Sequence, residues 1–200
     1  MQFTFNICNT NSSFQYATIN TEDTAIYALG VQPKGVLMMT FSKKIGRIRT
    51  GGQSGADRAA MDFARERGIP LCGWCPKNGW AEDYPDPPGL LADYPELTET
   101  SSEDTSRRTK WNMRDCDAIL TIIPLSSEQS RGTETGLEEG KRLNKPMFTA
   151  CRIDDVPDIL RWLNDLPDGI ELCVGGPRAS ECPEAYSLTK AILDRITESK

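Results

Sequence analysis

From residue 45 onward the chain repeats one pattern: a short apolar run, a segment with helical spacing, and another apolar run. The runs span 45–50, 69–74, 118–123, 146–151 and 170–174, and the helical patterns lie near 56–67, 104–115, 133–143, 155–166 and 183–197. Apolar runs this short, bounded by turn signals, are strands. Strands that alternate with helices build an α/β domain, a mostly parallel sheet with helices on both faces, because each crossover lays a helix against one side. Val156, Ile159, Leu160 and Leu163 keep the spacing of a single buried stripe, and Leu188, Ile192 and Ile196 repeat it in the last helix. Gly68 before Ile69-Pro70 marks a helix end followed by a new extended run.

Two regions break the rhythm. Residues 1–43 form an N-terminal extension with strand-like runs at 2–8, 14–19 and 35–41 and a short helical pattern at 22–29, leaving 44–200 as the domain. Residues 75–100 carry Pro76, Pro85, Pro87, Pro88 and Pro95 without sustained periodicity and read as a long loop, of the kind that is usually functional or disordered.

Composition removes several function classes. No apolar run approaches the roughly 20 residues of a transmembrane helix, and Met1 to Thr10 lacks the charged start and apolar stretch of a signal peptide. A cytoplasmic protein without a membrane partner is expected. The net charge of −6 argues against a nucleic-acid partner, whose phosphates call for a basic surface. With no histidine in the chain, His-based metal sites and Ser-His or Cys-His catalytic arrangements are excluded. The seven cysteines, odd in number and scattered, are no disulfide framework, and the lone pair Cys72 and Cys75 lacks the second pair of a structural zinc site; packing is its expected role.

The segment RTGGQSGADRAAMDFARERGIP, residues 49–70, places Gly51, Gly52 and Gly55 between a strand and a helix. Bare backbone there turns tightly and aims N–H groups at an anion, or it is a plain βα turn. Gln53, Ser54 and Asp57 share the segment. Asp57 either pairs with donor groups of a bound ligand or serves the helix dipole. Three more segments fall at predicted strand ends, where open α/β sheets bind ligands: RTKWNMRDCDAIL at 108–120, RGTETGLEEG at 131–140 and CVGGPRASECP at 173–183. Asp117 lies in the first of these. On the helix of 104–115, Arg107, Trp111 and Arg114 share one face, with Trp111 expected in the core. Arg108 and Asn112 share the neighbouring face and are the candidates for ligand contact. Helix N-termini near Ala56, Thr133 and Glu181 would each present unpaired N–H groups, with Ser180 capping the last. Arg178 supplies a planar fork for phosphate or another oxyanion.

Together with GWCPKNGWAED, these segments resemble the molybdenum carrier family, a circularly permuted branch (SLOG, YpsA-like) of the Rossmann-like group that includes lysine-decarboxylase-like, "lonely guy" and DprA proteins. The resemblance covers about residues 44–197. It implies a Rossmann-like, circularly permuted fold, because Gly176-Pro177-Arg178 comes last here and first in DprA-like relatives. It also implies that Gly175 to Arg178 and Gly51 to Asp57 face each other across one cleft. The ligand implied is molybdenum cofactor, held as cargo by Gly51, Gly52, Gln53, Ser54, Gly55, Asp57, Lys77, Arg108, Asn112, Gly132, Thr133, Glu134, Gly176, Pro177, Arg178, Ser180 and Glu181. The 75–100 loop would enclose it with Trp74, Trp80 and Lys77. A homo-oligomer, as a tetramer, and a molybdoenzyme or cofactor-synthesis partner are further expectations from the resemblance.

Two alternatives use the same cleft: a sensor of nucleotide-derived ligands, and a phosphoribohydrolase of the "lonely guy" type. The hydrolase motif places its catalytic glutamate two residues after a Gly-Thr threonine. Here Gly132-Thr133 is followed by Glu134 and then Thr135, so threonine stands at that position unless Glu134 or Glu138 substitutes. A carrier without turnover is therefore the expectation.

Overall fold

The computed structural model describes residues 3–7, 15–19, 44–127 and 130–198. Near the N-terminus β1 (Phe3–Ile7) and β2 (Gln15–Ile19) pair antiparallel. The expected strand at 35–41 and helix at 22–29 lie outside the described residues.

The main sheet comprises β3 (Ile45–Arg49), β4 (Leu71–Cys72), β7 (Ala118–Ile122), β8 (Met147–Ala150) and β9 (Ile170–Gly175), all parallel, in the order β4-β3-β9-β7-β8. The last strand of the chain is thus the central one. β7 is buried along its whole length, as an apolar run covered on both faces requires.

Five helices cover the sheet: α1 (Ala56–Arg67), α2 (Thr105–Asp115), α3 (Arg131–Arg142), α4 (Val156–Asp165) and α5 (Ala185–Glu198). α1, α4 and α5 enclose the larger core, where Phe63, Ile159, Leu163, Ile192 and Leu193 meet Ile48, Leu120, Leu172 and Val174. α2 and α3 pack together on the other face over Ile119 and Cys173. The sequence rhythm gave these elements because each period was carried by side chains that are in fact buried. α1 ends where expected: Gly68 takes φ 65°, and N–H groups of Gly68 and Ile69 return to Arg65 and Ala64 carbonyls.

The 75–100 segment is more ordered than a bare loop. Its flanks form a short parallel pair, β5 (Trp74–Cys75) and β6 (Thr98–Glu99), and the intervening chain folds through two 3-10 turns, Lys77–Gly79 and Gly89–Ala92. Prolines forbid a long ladder, yet Cys75, Ala81, Leu90, Tyr94 and Leu97 build a second small core against Met61 of α1. Cys72 and Cys75 sit in different sheets, and burial pushes both thiols up to about 11. Among the described residues no helix is long and apolar enough to cross a membrane.

Candidate functional site

A cleft of about 830 Å³ opens at the carboxyl ends of β3, β7 and β9, between α2 and α3. Gly51, Gln53, Thr121, Cys173, Gly175 and Gly176 form its base; Arg108, Asn112 and Met113 of α2 and Thr133, Thr135 and Gly136 of α3 form its sides. In an open parallel sheet this is where ligands bind, because adjacent loops diverge there.

The glycine loop accounts for the base. A Cβ on Gly51 would lie 1.6 Å from Arg108 Nη1, so the missing side chain is the space the guanidinium fills. Gly55 has φ 69°, and a Cβ there would lie 2.5 Å from the Pro177 carbonyl. The loop's donors are turned the same way. Gln53 N–H donates to Asp57 Oδ2 (3.2 Å), Ser54 N–H to Gln53 Oε1 (3.0 Å) and Ala56 N–H to the Pro177 carbonyl (3.2 Å). These three amides serve the protein's own acceptors, which corrects the expectation that the loop aims them at an anion. The loops after β3 and β9 face each other, as the resemblance implies, but they are in direct contact.

Asp57 is 4% exposed at the cleft base. Burial pushes its carboxyl up; the Arg108 charge and the Gln53 N–H oppose that rise. Arg108 Nη1 donates to Asp57 Oδ2 at 3.2 Å, so the carboxylate is committed to an internal ion pair rather than to a ligand edge. Arg108 itself is not consumed: its buried Nε has no hydrogen-bond partner among the described residues. Asn112 lines the cleft, with its amide turned onto the backbone of Trp74. Its Nδ2 donates one hydrogen to the Trp74 carbonyl (2.9 Å) and its Oδ1 accepts from Trp74 N–H (2.8 Å), an imitation of a strand neighbour that fixes the side chain. Trp111 is half-buried in an edge-to-face contact with Trp74, ring centroids 4.8 Å apart.

α3 begins at Arg131, two residues earlier than its spacing suggests, because Ser130 caps it: Ser130 Oγ accepts from Thr133 N–H. Gly132 and Thr133 line the cleft, whereas Glu134 is exposed and outside the lining. Thr135 lines it too, with its hydroxyl donating to the Arg131 carbonyl (2.9 Å).

The turn after β9 departs further from expectation. α5 starts at Ala185, not near Glu181, so no helix N-terminus faces the cleft there and Ser180 is no cap. Pro183 lies ahead of the helix, and residues 178–182 close a tight turn in which Cys182 N–H donates to the Arg178 carbonyl (2.9 Å). Ser180 binds Glu82 instead, through N–H to Oε1 (3.0 Å) and Oγ to Oε2 (2.5 Å). Glu82 Oε1 also accepts from Ser54 Oγ, which in turn accepts from Ala179 N–H (2.9 Å). One carboxylate of the 75–100 segment therefore latches the loops after β3 and β9. Burial works against its charge, but hydrogen bonds from Ser180 and Ser54 and the charge of Arg178 outweigh that and hold it below the usual range. Arg178 lines the cleft; its Nε lies 3.1 Å from Glu181 and 3.6 Å from Glu82, ion-pair distances, but this buried Nε, like that of Arg108, has no hydrogen-bond partner among the described residues.

Of the remaining expected contacts, Gly176 and Glu181 line the cleft. Gly52, Ser54, Gly55, Pro177 and Ser180 lie behind it in the latch and loop packing. Lys77 lines a neighbouring recess, Trp80 lines both, and Trp74 is turned away with its Nε1 donating to Asp115 (2.7 Å). Asp117 precedes β7 and lies at the opposite end of the sheet, accepting from Glu171 N–H (2.8 Å). Lining residues that the sequence did not single out include Lys110, Thr121, Arg131, Glu139 and Arg142. Arg142 is paired with Glu139, while Arg131 and Lys110 make no ion pair among the described residues. Lys110 and Arg142 fall inside plain amphipathic helices, and nothing in their spacing marks them.

A parallel sheet with a cleft at its strand ends, floored by two glycine loops, defines a Rossmann-like α/β domain. Residues 48–197 match the circularly permutated YpsA SLOG family, and the chain belongs to that family. It is similar to a crystal structure of a "putative molybdenum carrier protein" from Syntrophus aciditrophicus SB, with a TM-score of 0.68, 31% sequence identity, and coverage of 77% of this chain and 96% of that one. No curated protein matches the chain.

Proposed function

We propose that the cleft binds and carries molybdenum cofactor, a pterin that bears a phosphate and brings its metal already chelated. The observation that carries this reading is Arg108. A guanidinium 14% exposed, with one internal partner and a buried unpartnered Nε, is costly to keep unless a ligand acceptor completes it. Anionic oxygen is the natural acceptor for its fork. Lys110 and Arg131, which make no ion pair among the described residues, add positive charge at the rim. Gly132 supports the same reading: among the described residues nothing lies within 4 Å of where its Cβ would be, so their packing does not explain a glycine in the first turn of a helix, whereas close approach of a ligand does. The similar protein's name, molybdenum carrier, supports the cargo class.

The test is equilibrium binding of molybdenum cofactor to wild type, Arg108→Lys and Arg108→Ala at fixed salt. Loss of a charge-assisted hydrogen bond, about 1.5–3 kcal/mol, should weaken the alanine variant roughly tenfold to a hundredfold, with lysine between. Equal affinity in all three well-folded proteins would remove Arg108, and with it the reading. Thr135 at the hydrolase glutamate position supports carriage over turnover, and AMP incubated with the protein should release no adenine.

A further inference from the structure

Under the floor of the cleft two thiols meet. Cys173 of β9 lines the cleft in register with Ile119 of β7, and Cys116 follows the end of α2, just ahead of β7. Both are buried free thiols, packed with Met113 and Ile119 in one cluster that Leu143 and Met147 border. Cys173 S–H donates to Cys116 Sγ, and Cys116 S–H donates to the Met113 carbonyl (3.4 Å). The Cys173 hydrogen bond and the charges of Lys145 and Arg49 outweigh burial and lower the Cys116 thiol; the same bond, with burial and the Asp57 charge, raises that of Cys173. Lys145 is held at the pair, its Nζ donating to the Cys116 and Arg114 carbonyls. Two hydrogen-bonded thiols with a thioether in the same cluster are soft donors, and soft donors select soft ions. Among the described residues no three Cys, Asp or Glu side chains gather as a metal site, so structural Zn(II), which needs four ligands, is not served. Cu(I) is served by two thiolates, and the single negative charge of that complex is one the Lys145 ammonium can offset.

We propose that Cys116 and Cys173 form a site for one Cu(I) ion under the cleft floor, with their two thiolates as ligands and the Met113 thioether beside them. The ion enters from the cleft past Cys173, both thiols give up their protons to solvent, and two Cu–S bonds form with no change of oxidation state. Bound there, it ties the carboxyl end of α2 to β9. The assignment does not depend on what the cleft above carries.

The experiment titrates Cu(I) anaerobically into the full, reduced chain in the presence of bathocuproine disulfonate, whose coloured copper complex reports the ion that the protein does not hold. Wild type should withhold one Cu(I) per chain. Cys116→Ala and Cys173→Ala should each surrender it, whereas Cys72→Ser and Cys151→Ser, which alter half-buried thiols elsewhere, should hold it as wild type does. Circular dichroism checks that each variant is folded, and serine, close to cysteine in size, replaces alanine at 116 or 173 where the alanine variant is not. X-ray absorption of the loaded wild type should find sulfur neighbours only. Surrender of all the copper by wild type, its retention by a folded variant at 116 or 173, its loss from the Cys72 or Cys151 variant, or nitrogen or oxygen neighbours at the metal would each overturn the assignment.

Discussion

α1 and α2 both contribute to the cleft, but they are held in the molecule by different means. α1 is an alanine-rich helix whose Ala59, Ala60, Phe63 and Ala64 are fully buried, and it is fixed by apolar packing against α5 and the sheet. α2 buries Thr109, Asn112 and Met113, a mostly polar face, and is fixed by named hydrogen bonds: Asn112 to the Trp74 backbone and Arg108 to Asp57. The glycine loop leading into α1 looks like a ligand cradle, yet its glycines and three of its amides serve internal contacts. The helix with little apolar character presents a guanidinium whose Nε still lacks a hydrogen-bond partner among the described residues. Polar anchoring is what allows a side chain such as Arg108 to be both positioned and left incomplete, since no apolar packing has to enclose it.

This contrast breaks first at Gly55. Gly55→Val must place a β-branched side chain at φ 69° with its Cβ 2.5 Å from the Pro177 carbonyl. It should cost about 3–5 kcal/mol and lower Tm by about 10 °C or more. A thermal melt within about 2 °C of wild type would show that the loop is not a packing element. The next largest effect tests α2. Asn112→Ala leaves the Trp74 N–H and carbonyl without their partner, and urea unfolding should report a loss of about 2–3 kcal/mol. A loss under 0.5 kcal/mol would mean that α2 is held by packing after all.

The smallest effect concerns the latch. The Glu82 carboxyl sits below its ordinary value of 4.5 in the folded protein, so its contribution is fully present above that value and is lost as pH falls through the folded one. Glu82→Gln should be less stable than wild type by about 1 kcal/mol at pH 7, and the gap should close between about pH 5 and 3. A gap independent of pH would assign the effect to shape rather than charge.

The sheet, its helices and the cleft's place were readable because they rest on periodicity, which depends on single residues only weakly. The reasons for individual residues were not. A sequence shows that Gly51 must be bare; it does not show that Arg108, 57 positions on, fills the space. Arg178, preceded by glycine and proline, looked like the anion fork; it does line the cleft, but the sequence could not show that Glu82 and Glu181 stand at ion-pair distance from its Nε. Glu82 comes from a proline-rich stretch with no repeat to reveal which way it faces. The α5 start was misplaced because Ser180-Glu181 and Pro183 imitate a cap and first turn, while the chain spends those residues closing a tight turn onto the glycine loop.

The position of β9 bears on how the protein is made. β3 and β7 never touch as neighbours; each pairs with β9, the last strand synthesised. Until residues 170–175 emerge, the main sheet holds only two separate parallel pairs, β3 with β4 and β7 with β8, and a two-stranded pair of such length has little stability of its own. The pairing of β3 with β9 spans most of the domain, a non-local contact that forms late. A chain that stops early therefore has neither a continuous sheet nor a cleft floor.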